Sequence, residues 1–331
     1  MSTANLIATQ ASKTPATASK GLQMTDYLNK CHFGDCIETM RGMPAGIVQT
    51  CVTSPPYFGL RDYGHDGQIG LEATPDEFIG KLVEVFREVK RVLRDDGTLW
   101  LNIGDSYAST GTTRPARKSG NNFDNVTADG LPNPGIPDGL KPKDLIGIPW
   151  LLAFALRADG WYLRQEIIWH KPNPMPESVT DRCTKSHESI FLLAKSEKYY
   201  CDMAAIAEKS MGRELFGNSR SKGDCEQRQD NDRQDMTPTE TRNKRSVWTV
   251  ATTPYKGAHF ATFPTALIEP CILAGAPAGG VVLDPFFGSG TTGQVAQALG
   301  RKFIGCELNP AYKALQDERL QQPSFDFAEA A

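Results

Sequence analysis

The tetrapeptide Ser54-Pro55-Pro56-Tyr57 follows directly on an apolar run at residues 47–53. Two consecutive prolines fix the backbone and remove two N–H donors. What remains is a rigid rim of carbonyl acceptors, with a hydroxyl on one side and an aromatic ring on the other. Such a rim suits a flat base with an exocyclic amino group: Ser54 and the Pro55 carbonyl accept its two hydrogens, and Tyr57 stacks on the ring. Standing alone, the same four residues also read as a proline turn with a surface tyrosine.

A second constellation lies at residues 281–300, VVLDPFFGSGTTGQVAQALG, where Gly288, Gly290 and Gly293 satisfy G-x-G-x-x-G between a strand and a helix. Glycines there let the backbone approach a ligand. Glu307, at the end of the next strand, is placed to accept two hydrogen bonds from ribose hydroxyls. The loop by itself admits a nicotinamide dinucleotide or an adenosine bearing a sulfonium. Asp284 at the strand tip repels a pyrophosphate and suits an α-ammonium group, which favours S-adenosylmethionine.

These residues need a scaffold, and the pattern supplies one. Strand-like runs stand at 47–53, 98–104, 163–169, 189–195, 281–284 and 302–307. Several are apolar without alternation, as in strands buried on both faces. Helices fall between them. Residues 75–94 have Thr74 as N-cap, Pro75 at the first position, Glu77 completing a capping box, and Gly97 beyond the end. Further helices cover 149–158, 291–299, and a last one from Asn309-Pro310 to about residue 320. The alternation predicts an α/β fold with a doubly wound, mostly parallel sheet. Two polar stretches, 109–143 and 210–246, interrupt it, and residues 1–24 and 323–331 read as tails, the first of them mobile.

Composition narrows the choice less. The chain has 331 residues, with 36 Lys+Arg against 39 Asp+Glu and a net charge of −3, which gives no sign of a nucleic-acid partner. No apolar run approaches the roughly 18 residues of a membrane span, and the N-terminus lacks a signal-peptide core. Eight cysteines are scattered without a CxxC, and none of the five histidines stands in zinc-site spacing with them. The expectation is free thiols in a reducing compartment and no metal. Pro270-Cys271, the one pair suggestive of a cysteine nucleophile, sits in an apolar helical run and reads as core.

Taken in order, these motifs resemble the permuted β-class of the adenine-N6 / cytosine-N4 DNA methylase family, in which the catalytic tetrapeptide precedes the cofactor loop. The likeness runs over about residues 30–320, outside the two polar stretches. Its other carriers are Phe33-Gly34-Asp35-Cys36, Asn102-Ile103-Gly104-Asp105, Trp169-His170-Lys171-Pro172-Asn173-Pro174-Met175-Pro176, His187-Glu188, His259-Phe260-Ala261-Thr262-Phe263-Pro264 and Gly305-Cys306-Glu307-Leu308-Asn309.

The resemblance implies a circularly permuted, Rossmann-like class I fold that uses S-adenosylmethionine. Ser54, Pro55, Pro56 and Tyr57 form the catalytic rim. Phe286, Gly288, Ser289 and Gly290 wrap the methionine part of the cofactor, Thr53 and Thr291 are further cofactor-binding residues, and Asp284 faces the methionine ammonium. Glu307 holds the ribose, Asp35 borders the adenine, and Phe263 and Pro264 pack alongside. His170, Lys171 and Arg182 contact double-stranded DNA, from which the target base is flipped. Residues 25–172 form the catalytic half, 173–256 the target-recognition region and 257–322 the cofactor half. Ser54 in the first tetrapeptide position leans toward cytosine-N4, with adenine-N6 the other reading. A homodimer without membrane attachment is implied, cytoplasmic and nucleoid-associated, from a bacterium or phage. The alternatives are an RNA or protein amino-methyltransferase and, more remotely, an NAD-dependent oxidoreductase.

Overall fold

Apolar segments flanked by glycine, proline and capping residues assemble into one large sheet with helices on both faces. In the computed structural model, residues 23–59, 65, 67–108, 136, 139–210, 240–252 and 263–321 are described. Most of both polar stretches, nearly all of both tails and the segment from His259 to Thr262 lie outside them. The strands are β1 (Lys30–Phe33), β2 (Val48–Thr53), β3 (Leu93–Ile103), β4 (Tyr162–His170), β5 (His187–Ala194), β6 (Glu208–Lys209), β7 (Thr241–Arg242), β8 (Val247–Thr249), β9 (Val281–Asp284) and β10 (Lys302–Glu307). The helices are α1 (Met24–Tyr27), α2 (Cys36–Arg41), α3 (Pro75–Val92), α4 (Ile148–Ala158), α5 (Thr265–Gly275), α6 (Thr291–Ala298) and α7 (Lys313–Gln321).

Eight strands form the sheet, in the order β1-β10-β9-β2-β3-β5-β4-β8. All run the same way except β5, which is antiparallel to both of its neighbours. Successive side chains of a strand serve opposite faces. Cys51, Leu99, Leu101, Phe191, Leu283 and Ile304 join the core under α2, α3 and α4. Val52, Trp100, Leu192, Val282 and Phe303 join the one under α5 and α6. That two-sided burial is why the strands read as unbroken apolar runs. Two strands of the same sheet, β5 and β8, come from the 173–256 stretch.

Element ends are set by identifiable groups. The Thr74 hydroxyl accepts the Glu77 N–H at 3.2 Å, while the Glu77 carboxylate takes the N–H of Ala73 rather than that of Thr74. Gly97 is not a helix stop. α3 passes directly into β3, and Gly97 lies inside that strand, where a Cβ would sit 2.9 Å from the Arg94 carbonyl oxygen. α4 begins on a distant cap: the N–H groups of Gly147 and Ile148 each donate to Asp105 Oδ1 at 3.0 Å. Cys271 is buried in α5, as core. The seven described cysteines are free thiols. Among the described residues no helix is long and apolar enough to cross a membrane, and no His/Cys/Asp/Glu cluster could hold a metal.

Candidate active site

Two motifs far apart in the chain meet at the carboxyl edge of the sheet. β2 lies parallel to β9, with Thr50 opposite Val282 and Cys51 opposite Leu283. One residue pair bridges the strand tips: Thr53 Oγ1 donates to Asp284 Oδ1 at 2.6 Å. Thr292 donates to Asp284 Oδ2 at 2.6 Å, and the Phe286 N–H to Oδ1 at 3.0 Å. Sequence reasoning turns Asp284 toward a ligand ammonium. The structure leaves it 1% exposed, bracing β2, the glycine loop and α6. Burial pushes its carboxyl up to about 6 against these three donors.

The glycine loop is shaped by space as much as by bonding. Gly288 and Gly290 have φ of +51° and +88°, a region that strains any side chain. Phe287 explains the two other glycines. A Cβ at Gly293 would lie 2.6 Å from its ring, and one at Gly305 2.4 Å. Phe287 also stacks on Phe303, with centroids 5.4 Å apart, while Phe286 packs into the opposite core. Glu307 Oε2 accepts the Gly288 N–H, and Oε1 the Asn309 N–H, both at 2.8 Å; burial raises its carboxyl too. From α7, Gln316 donates to the Gly288 carbonyl at 2.7 Å, and Arg319 donates to the Thr291 hydroxyl.

The neighbouring candidates divide between shaping and open roles. Asp35 is the N-cap of α2, accepting the Glu38 N–H at 2.9 Å, and it follows Phe33, which pairs with Glu307. Phe263 packs against the α5–α6 core, and Pro264 is the N-cap residue of α5. Ser289 stands apart. Its hydroxyl is buried with no hydrogen-bond partner among the described residues. Buried polar atoms are nearly always satisfied, so an orphaned hydroxyl between two left-handed glycines marks a place for a polar ligand. With the Glu307 carboxylate as an acceptor at the next strand tip, this set of polar groups fits an adenosyl cofactor with an amino-acid tail.

Around the tetrapeptide, Pro55 is buried and Ser54, Pro56 and Tyr57 are half-buried. Tyr57 packs against Gly104, where a Cβ would come within 2.6 Å of its Cε2. Its hydroxyl donates to Glu188 Oε2 at 2.7 Å. Asn102 Nδ2 donates to the same oxygen at 3.2 Å, and Lys171 pairs with Glu188 Oε1. The Lys171 and Glu188 side chains are 18% and 13% exposed, and the ammonium sits 4.3 Å above the Trp169 ring. Lys185 lies nearby, donating to the Asp105 carbonyl at 3.2 Å; burial lowers its ammonium below the usual lysine range.

The residues assigned to DNA are therefore not a row of free cations. Lys171 is committed beside the tetrapeptide. Arg182 pairs with Glu177 at 2.6 Å and lies 4.0 Å over the Tyr107 ring. His170 Nδ1 is 3.1 Å from the Thr249 hydroxyl. Sequence reasoning gave no role to Glu188, Asn102, Gly104 or Thr292. Asn102, Gly104 and Glu188 lie in segments that carry the family resemblance, and Thr292 in the first turn of α6 after the glycine loop.

The model of the N6/N4 DNA methylase family matches residues 48–318. The Type II methyltransferase M.Cfr9I of Citrobacter freundii is 52% identical over 290 residues, covering 87% of this chain and 86% of that protein. The Type II methyltransferase M.SmaI of Serratia marcescens is 50% identical over 291 residues, covering 88% and 90%. Among solved structures, PvuII DNA methyltransferase (cytosine-N4-specific) superposes with a TM-score of 0.60 at 17% identity, over 89% of this chain and 87% of that one. TTHA0409 of Thermus thermophilus, solved as a complex with S-adenosyl-L-methionine, gives 0.54 at 24% identity, over 88% and 93%. These two share the fold. With a family match over most of its length and relatives half identical to it, the chain belongs to the N6/N4 DNA methylase family.

Proposed function

We propose that this DNA methyltransferase transfers a methyl group from S-adenosylmethionine to the N4 amino group of a cytosine flipped out of duplex DNA. The observation that carries the reading is the Thr53–Asp284 hydrogen bond. It holds the Ser54-Pro55-Pro56-Tyr57 rim beside the glycine loop at one sheet edge. When bound, S-adenosylmethionine supplies a methyl group on a cationic sulfur, which the amino nitrogen takes by direct displacement. Ser54 and the Pro55 carbonyl accept the two amino hydrogens and draw the nitrogen lone pair out of conjugation with the ring. Ser54 is a weak base, so the surplus proton leaves to water. Tyr57 replaces the stacking that the base loses on leaving the duplex. Ser289 and Glu307 take the polar groups of the cofactor, beside Gly288 and Gly290, and Asp284 fixes the loop that carries them.

Cytosine is preferred to adenine on Ser54 alone. His170, Arg182 and the stretch 173–256 provide DNA contacts and target recognition. A homodimer in the cytoplasm is the assembly and location that the family likeness supports; light scattering tests the dimer, and a monomeric mass at every concentration counts against it. Incubating duplex DNA with labelled S-adenosylmethionine, then digesting to nucleosides, tests the reaction. N4-methylcytosine is expected. N6-methyladenine reassigns the base, and no labelled nucleoside from any duplex removes the proposal.

A further inference from the structure

Glu188 has no part in the methyl displacement, yet three other elements converge on it. Tyr57 reaches it from the loop after β2, Asn102 from β3 and Lys171 from just beyond β4, while Glu188 itself is the second residue of β5. Its carboxylate is largely buried, so it needs those donors: an unpaired buried charge is strongly destabilising, and one with a cation and two further hydrogen bonds is held in a single place. Tyr57 has the opposite problem. It lies on a loop without regular structure, and a stacking ring is useful only in one plane. Gly104 clears a seat for the ring, and the hydroxyl bond to Glu188 fixes its far end.

We infer that Glu188 is a positioning residue: backed by Lys171 and Asn102, it tethers the Tyr57 hydroxyl and so sets the ring plane that meets the target base. The inference rests on the proposed role of Tyr57 as the stacking residue. It also gives the phenol oxygen a function that the ring alone does not explain, and gives Lys171 a function away from phosphate. A bond from a neutral hydroxyl to a carboxylate is among the stronger hydrogen bonds, so its loss is felt at about the tenfold level.

The test is a double-mutant cycle on the full chain with duplex DNA. Tyr57→Phe keeps the ring and loses the tether. It is expected to lower kcat about tenfold while KM for S-adenosylmethionine stays unchanged. Glu188→Gln is expected to lower kcat about tenfold in the wild-type background and by less than about threefold in the Tyr57→Phe background. Equal factors in both backgrounds overturn the tether. A second readout needs no methyl transfer. The ultraviolet titration of the Tyr57 phenol, isolated by difference from Tyr57→Phe, should move to lower pH in Glu188→Gln. The variant removes a negative neighbour and leaves the Lys171 and Lys185 ammonium groups in place. An unmoved titration overturns the inference. If the wild-type chain methylates no duplex, the proposed function fails, and the phenol titration alone still decides the tether.

Discussion

The Ser289 hydroxyl is a liability in the ligand-free protein. An unsatisfied buried group of this kind costs about 1–3 kcal/mol. Ser289→Ala should therefore raise the melting temperature of the free protein while weakening S-adenosylmethionine binding severalfold, as calorimetry will read; undiminished binding would take Ser289 out of the site. Asp284 makes a prediction with a sign. Its folded carboxyl titrates near 6, against about 4 for a free one. Between those values the folded state holds a proton that the unfolded state has released, so this residue makes stability fall as pH rises through the window. Asp284→Asn should flatten denaturation free energy against pH between about 4 and 6. A slope identical to the wild type there would show that the carboxyl titrates normally. Tyr57→Ala should abolish methyl transfer and leave cofactor binding largely intact, a separation that parallel transfer and binding assays measure.

At the scale of elements, the glycine loop depends on one ring, that of Phe287, among three glycines, Gly290, Gly293 and Gly305. Gly305→Ala in β10 forces Phe287 off its seat and should cost about 1–3 kcal/mol in denaturant unfolding, with Phe287→Leu restoring part of it. A midpoint unchanged by Gly305→Ala would mean that the ring moves without penalty. What the sequence disclosed at this scale follows from how local each signal is. β9 and β10 were readable to the residue because Asp-Pro ends one apolar run and Gly-Arg opens the other. β1 was not: Lys30 and Phe33 are exposed and Cys31 and His32 only half-buried, and it is a strand because β10 pairs with it from the far end of the chain. Gly97 misled for a related reason, being required by the Arg94 and Gln49 carbonyls rather than by a helix end. The tetrapeptide and the glycine loop were legible as patterns. Glu188 was not, since its partner Tyr57 is 131 residues away and nothing in the spacing joins them.

For the molecule as a whole, a net charge of −3 averages over faces that meet different partners. Phosphate contacts must come from local basic groups, and a lysine held by a largely buried carboxylate, as Lys171 is by Glu188, contributes little to them. Lys171→Met should thus leave the salt dependence of DNA binding unchanged while lowering kcat. A lysine on phosphate would instead reduce the slope of log affinity against log salt by about one.

The pairing of β2 with β9 bears on how the protein comes into being. Thr53 and Asp284 are 231 residues apart, so on the ribosome the strand that leads into Ser54-Pro55-Pro56-Tyr57 waits a long time for its neighbour. β3 can close one side of β2 early, but the other side stays open until β9 emerges. Non-local parallel pairing of this kind is slow, and an open strand edge invites the wrong partner. A nascent chain therefore holds the proposed base-binding rim with no methyl donor beside it. Methylating activity should appear late and abruptly in synthesis, with chaperone dependence concentrated in the interval before β9 is delivered.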